Sequence, residues 1–246
     1  DILLQQPATA EFIVRKLWRE FVSPTPEARE SVRIANAFRG SGYEIRTALR
    51  GLFLSPAFWA KENRGTLVKS PVDLVVGSMR TLDVRVPDAL PLAFAVRNLG
   101  QDLFAPPNVK GWPGGDAWIN ATTLLGRKQF IERLLRNDQF VTPMARADGV
   151  DSSYEQGAMR QRQRVKELRE EFGKGAGRLD GDTRMRMVQA LSDIRFDSAK
   201  WLRDFKDTAS VERALLPIAA VTPPPAGMGG IELVRTIALD PAYQLR

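Results

Sequence analysis

Residues 7–21 read PATAEFIVRKLWREF, and this stretch decides the fold. Ala10, Ile13, Val14, Leu17, Trp18 and Phe21 recur at the i, i+3, i+4, i+7 spacing of one apolar helix face. Arg15, Lys16, Arg19 and Glu20 fall on the other side. Pro7 suits the first helical turn, where a missing N–H leaves no bond unmade. Working outward, the same periodicity returns over residues 27–38, 44–54, 70–82, 90–99, 120–136, 154–172, 183–194, 198–205, 210–220 and 231–239. The punctuation between these runs is that of helix ends: Ser55-Pro56, Ser70-Pro71, Asn120 and Asp197 as caps, and Gly40-Ser41-Gly42 as a break. Asp73 stands where the acidic member of a capping box belongs. Residues 83–87 alternate polar and apolar but are too short to build a sheet. The sequence therefore predicts an all-α protein, an irregular bundle of about nine to eleven helices.

Residues 1–137 read as the main helical core. Residues 138–182 read as a loop, a charged excursion helix with a thin apolar stripe (Val165, Leu168, Phe172) and a Gly-rich break. Residues 183–246 read as C-terminal helices that pack on the core. Leu54-Ser55-Pro56-Ala57-Phe58 and Leu239-Asp240-Pro241-Ala242-Tyr243 echo each other, each placing a capping residue before proline after an apolar helix. Two copies this short indicate a reused turn rather than a repeat architecture.

Composition narrows the chemistry. With 43% hydrophobic residues in 246, a sizeable core is expected. The longest apolar runs, 90–96 and 214–221, fall far short of the roughly 20 residues a bilayer requires. No signal peptide is visible, and the opening residue Asp1 suggests a processed or truncated start. The net charge of +7 is spread thinly, so a mildly basic solvated surface fits better than a nucleic-acid footprint. The chain has no Cys and no His. A thiolate nucleophile, a cysteine-ligated zinc and a Ser-His-Asp triad are therefore excluded within it. No serine has a lysine three residues on, which removes a Ser-x-x-Lys dyad. No cofactor and no metal are expected, and the reading leans away from an enzyme.

One segment is unlike the rest. Residues 101–118, QDLFAPPNVKGWPGGDAW, carry three prolines and three glycines where the helical pattern stops. Prolines restrict φ and glycines permit tight turns, so a long ordered loop is expected, and such loops are often functional. Trp112 and Trp118 can offer flat faces to a sugar ring or an aromatic ligand, with Gln101, Asn108, Lys110, Asp116 and Asn120 as hydrogen-bonding neighbours. The plainer alternative turns both indoles inward, so that the loop plugs one end of the bundle. Arg127 and Lys128, in the helix after the loop, can face an anion, although a pair of surface charges is the simpler reading. Lys69-Ser70 can form a reactive pair if the lysine is buried, whereas Ser70 is already explained as a helix cap. Glu167, Glu170 and Glu171 sit among Arg164, Lys166 and Arg169, which is the pattern of a solvated, ion-paired helix. Asp180-Gly-Asp182 lacks the oxygen ligands of a calcium loop, and Gly173-Lys-Gly-Ala-Gly177 lacks the ending of a phosphate loop.

Several strings stand out together: Gln6-Pro-Ala-Thr-Ala10 with Arg15-Lys16-Leu17-Trp18, Leu54-Ser-Pro-Ala-Phe58, and Val68-Lys-Ser-Pro-Val72. The most specific is Leu99-Gly-Gln-Asp-Leu-Phe-Ala-Pro-Pro-Asn-Val-Lys-Gly-Trp-Pro-Gly-Gly115, followed by Trp118-Ile-Asn120 and the closing Leu239-Asp-Pro-Ala-Tyr-Gln-Leu245. In these strings the chain resembles the C-terminal half of the bacterial domain of unknown function 1800 family. The resemblance covers residues 3–135 and 229–246 and is loose between them. It implies a helical, exported protein, commonly longer at its N-terminus and often encoded beside a second protein of unknown or sulfatase-like type. It implies no reaction. Gln6 stands where that family usually has His. The function expected is a structural or interaction module of an exported bacterial protein that works with a partner chain. A glycan-binding or glycan-acting module built on Trp112 and Trp118 is the alternative, and nucleic acid is not an expected partner.

Overall fold

The computed structural model describes residues 2–136 and 194–246. The charged helix expected over 154–172, the acidic and Gly-rich motifs beside it and the helix expected over 183–194 lie almost wholly outside them. Eleven α-helices are formed among the described residues, with no strand. They are α1 (Ile2–Gln5), α2 (Pro7–Phe21), α3 (Ala28–Gly40), α4 (Ile45–Phe53), α5 (Pro56–Trp59), α6 (Pro71–Thr81), α7 (Leu90–Asn98), α8 (Ala121–Arg136), α9 (Ser198–Leu202), α10 (Thr208–Leu215) and α11 (Gly230–Ala238). Short 3-10 turns cover Lys61–Asn63, Gly115–Trp118 and Pro241–Gln244. The protein is all-α, as the periodicity predicts. The last helices are shorter than their apolar runs: α9 stops at Leu202, and α10 starts at Thr208, where Asp207 and Ser210 form a capping box, and ends at Leu215.

The chain gathers into two compact units, Asp1–Val68 with Gln244–Arg246, and Lys69–Tyr243. The division falls at residue 68, inside the segment 1–137 that the sequence reads as one core. In the first unit α2, α3 and α4 bury Ala10, Val14, Trp18, Ile34, Ala35, Phe38, Ala48 and Leu52. Trp18 lies on the buried stripe of α2, and its indole N–H donates to Ser23 Oγ at 3.0 Å, so that the ring is buried with its own donor satisfied. Gly51 lets α3 and α4 close up, because a Cβ there would meet Ile34 Cγ2 at 3.1 Å. Residues 244–246 return to this unit: Arg246 N donates to Leu67 O at 2.7 Å, and Val68 and Leu245 form an antiparallel bridge.

The second unit has its own core. Leu74, Val75 and Met79 of α6 pack with Ile131, Leu134 and Leu135 of α8 and Leu233, Val234 and Ile237 of α11, together with Phe196, Trp201 and Tyr243. α6 begins as the sequence predicts, with Pro71 in its first turn and a complete Ser70–Asp73 capping box. The echo at Asp240-Pro241 proves to be more than a cap. Asp240 is buried, and its carboxylate accepts from the backbone N–H groups of Val221, Thr222 and Ala242, tying the Pro-rich stretch to the end of α11.

Candidate functional site

The 101–118 loop connects α7 to α8 within the second unit, and its two ends are fastened differently from its middle. At the entry, Gln101 Oε1 accepts the Val72 backbone N–H at 3.1 Å, satisfying one of the open donors in the first turn of α6. At the exit, Trp118 is buried at 8% exposure and its carbonyl accepts from Thr123 Oγ1. Asn120 caps α8: its Oδ1 accepts Thr123 N at 2.9 Å, while Asn120 N donates to Thr123 Oγ1 at 2.9 Å. Gly126 allows α8 to approach the end of α7, since a Cβ there would meet Leu99 Cδ2 at 3.1 Å. Gly111, Gly114 and Gly115 all have positive φ, which is the backbone freedom this loop draws on.

The middle is bare. Residues 103–110 are all exposed, Phe104 at 98% and Val109 at 105%, with Leu103 at 40%. No charged side chain lies between Leu103 and Val109. Phe104 holds φ at 64°, a left-handed conformation that costs a non-glycine residue about 1–2 kcal/mol. Asn108 Oδ1 accepts Lys110 N at 2.8 Å, which folds the tip into a local turn.

Beneath the loop lies a polar cluster. Arg127 is wholly buried and donates from Nη2 to the Lys69 carbonyl at 2.8 Å. The surface position that is its simpler reading from sequence is therefore corrected. Arg127 shares the α8 face of Leu124, Ile131 and Leu134, and that spacing is the signal for a core position. Lys128, by contrast, is exposed. Lys69 donates from Nζ to the Tyr243 carbonyl at 2.7 Å and lies 3.9 Å from the centre of the Tyr243 ring. Burial pushes the Lys69 amine down to about 8, Asp73 opposing the shift and Arg127 adding to it. Burial also lowers Arg127 from its usual range, again with Asp73 opposing. Tyr243 is pushed up by burial, offset in part by its hydroxyl hydrogen bond of 2.8 Å to Ser78.

The structure thus brings Gln101, Trp118, Asn120 and Arg127 to the foot of the loop and separates them from exposed Asn108, Lys110 and Asp116. Trp112 is half-buried, and only Trp118 turns fully inward. Trp118 therefore offers no open indole face. Ser70 is committed to its cap, with its hydroxyl both accepting from Asp73 N and donating to Asp73 Oδ2, so Lys69 and Ser70 do not work as a pair. Tyr243, which the sequence marks only as part of the closing motif and not as a site residue, joins the cluster because its backbone and ring meet Lys69. Among the described residues no three His, Cys, Asp or Glu side chains gather to hold a metal, and no helix is long and apolar enough to cross a membrane.

No curated protein and no solved structure matches this chain. The family model described as "Protein of unknown function (DUF1800)" matches residues 1–245, running through the middle where the shared strings are loose. The loop, its foot and the closing Tyr243 all lie within that match, and the chain is a member of the DUF1800 family.

Proposed function

We propose that this chain is a helical interaction module that engages a partner polypeptide through the tip of the 101–118 loop. The observation that carries the reading is Phe104, an aromatic side chain held almost fully in solvent at a backbone angle that such residues rarely adopt. Strain of this kind persists only where surrounding structure imposes it, and it concentrates at functional positions. Here the fixed foot supplies that imposition. Apolar anchors presented on rigid loops are what buried hot spots of protein interfaces require. The tip is uncharged, and Asp102 and Asp116 flank it with only Lys110 as a cation, which suits a protein pocket better than an anionic lipid surface.

The glycan reading has less support. It needs indole faces and free polar groups, whereas Trp118 is buried and Gln101, Asn108 and Asn120 are engaged within the chain. An exported location belongs to the proposal through the family resemblance alone.

The test places a photo-reactive aromatic residue at position 104 of the full-length protein in the organism that makes it. One discrete adduct is expected from that position, and none from an identical probe at exposed Gln129 on α8. Equal adducts from both positions, or none from either, would overturn the reading.

A further inference from the structure

The first unit carries an aromatic row that starts from its core, where Phe58 packs, and runs out to the surface. Phe21 of α2, Phe53 of α4 and Phe58 and Trp59 of α5 touch edge to face in sequence, with centroid separations of 5.5, 5.1 and 5.3 Å. Such contacts fix ring orientations as well as burying area. The row reaches solvent: Phe21 is 40% exposed, Trp59 64%, and neighbouring Leu54 69%. Trp59 is not a loose surface residue, because its indole N–H donates to the Phe53 carbonyl at 2.9 Å and holds the ring plane. Ser55 builds the turn that presents it, accepting Phe58 N at 3.3 Å.

The charges beside the row are one-sided. Arg50 lies on α4 one turn before Phe53 and Leu54, and Lys61 and Arg64 follow Trp59. All three are exposed, and none forms an ion pair among the described residues. Against these three cations the stretch from 50 to 64 contains one carboxylate, Glu62. Glu20, the acidic residue beside Phe21, is already paired with Arg246 at 2.6 Å.

We infer that the row Phe21–Phe53–Phe58–Trp59 with Leu54 is a docking surface for an acidic segment of a partner polypeptide. Apolar side chains of that segment cover Leu54 and Trp59, and its carboxylates meet Arg50, Lys61 and Arg64. A purely apolar partner would leave three cations unused at the rim, and a polyanion without apolar groups would leave the rings uncovered. Complementary charge sets encounter rate and orientation, and the desolvated rings supply affinity.

The inference is independent of the loop and is tested separately. The probe is a random glutamate–tyrosine copolymer, with polyglutamate, phosphatidylglycerol vesicles and oligo(dT) as competitors, each titrated calorimetrically against the purified chain. The copolymer is expected to bind about tenfold more tightly than polyglutamate, and about tenfold more weakly to either Trp59→Ala/Leu54→Ala or Arg50→Gln/Lys61→Gln/Arg64→Gln. Substitution at Phe104 should leave copolymer binding unchanged, which separates this surface from the loop tip. All substituted side chains are exposed, and retained circular dichroism and melting temperature establish that the variants fold. Equal binding of copolymer and polyglutamate, unchanged binding in the variants, or tighter binding of vesicles or oligo(dT) would each overturn the proposal.

Discussion

The foot and the tip of the 101–118 loop use the same kinds of residue to opposite ends. At the foot, Trp118 is packed away, Gln101 and Asn120 complete helix ends, and Arg127 spends a hydrogen bond on the Lys69 backbone. At the tip, Phe104 and Val109 are bare, and the backbone is bent at a cost to keep them so. The difference teaches that order in this loop is not evidence of burial. The foot is fastened by packing and helix caps, while the tip holds an apolar side chain away from its own helix bundle.

That contrast can be broken experimentally. The largest effect is expected at the foot: Trp118→Ala removes a buried indole and should cost about 3–5 kcal/mol in urea unfolding. A loss below 1 kcal/mol would mean that Trp118 does not anchor the loop. The next effect is read through pH. Lys69 sits at about 8 in the folded chain against an ordinary value of 10.5, so the unfolded chain holds the extra proton between these values. The stability associated with this depressed value is therefore complete above 10.5 and lost as pH falls through 8. Raising pH from 7 to 9.5 should stabilise the protein by up to about 2 kcal/mol through this group, with Asp73, Arg127 and Tyr243 as its charged or titratable neighbours. Lys69→Met should flatten that rise, and an identical slope in both proteins would remove Lys69 from the account. The smallest effect belongs to the tip. Phe104→Asn, a residue that accepts left-handed φ, loses no packing and should relieve part of the strain, stabilising the protein by up to about 1 kcal/mol. A large loss would show that Phe104 is packed rather than presented.

The helices were legible because apolar spacing and capping chemistry agree along the chain, from Pro7 on the first long helix to Asn120 before α8. Arg127 was half-legible. Its place in the α8 apolar stripe marks a core position, but a charged residue next to Lys128 reads as surface unless the pattern is followed strictly. Phe104 could not be read, because an apolar residue in a Pro-rich loop is expected to fold inward, and only tertiary geometry shows otherwise. Lys69 and Tyr243 lie far apart in sequence, so their contact has no local signature. The break between the two compact units at residue 68 falls in Val68-Lys69-Ser70-Pro71, which carries helix-start chemistry rather than the flexible composition of a linker.

The pairing of Leu67 with Arg246 has a consequence for how the chain comes into being. Synthesis is vectorial, so residues 244–246 leave the ribosome only after everything from 69 to 243 has emerged. Of the two units, the one that begins earlier along the chain is thus completed later. Its helices α2 to α4 can form early from near-neighbour contacts, but its final stitch, and the Glu20–Arg246 ion pair with it, waits for the intervening chain. A nascent chain stalled before Gln244 should therefore hold a first unit that is formed but unfastened, protected in its core and open to proteolysis near Leu67.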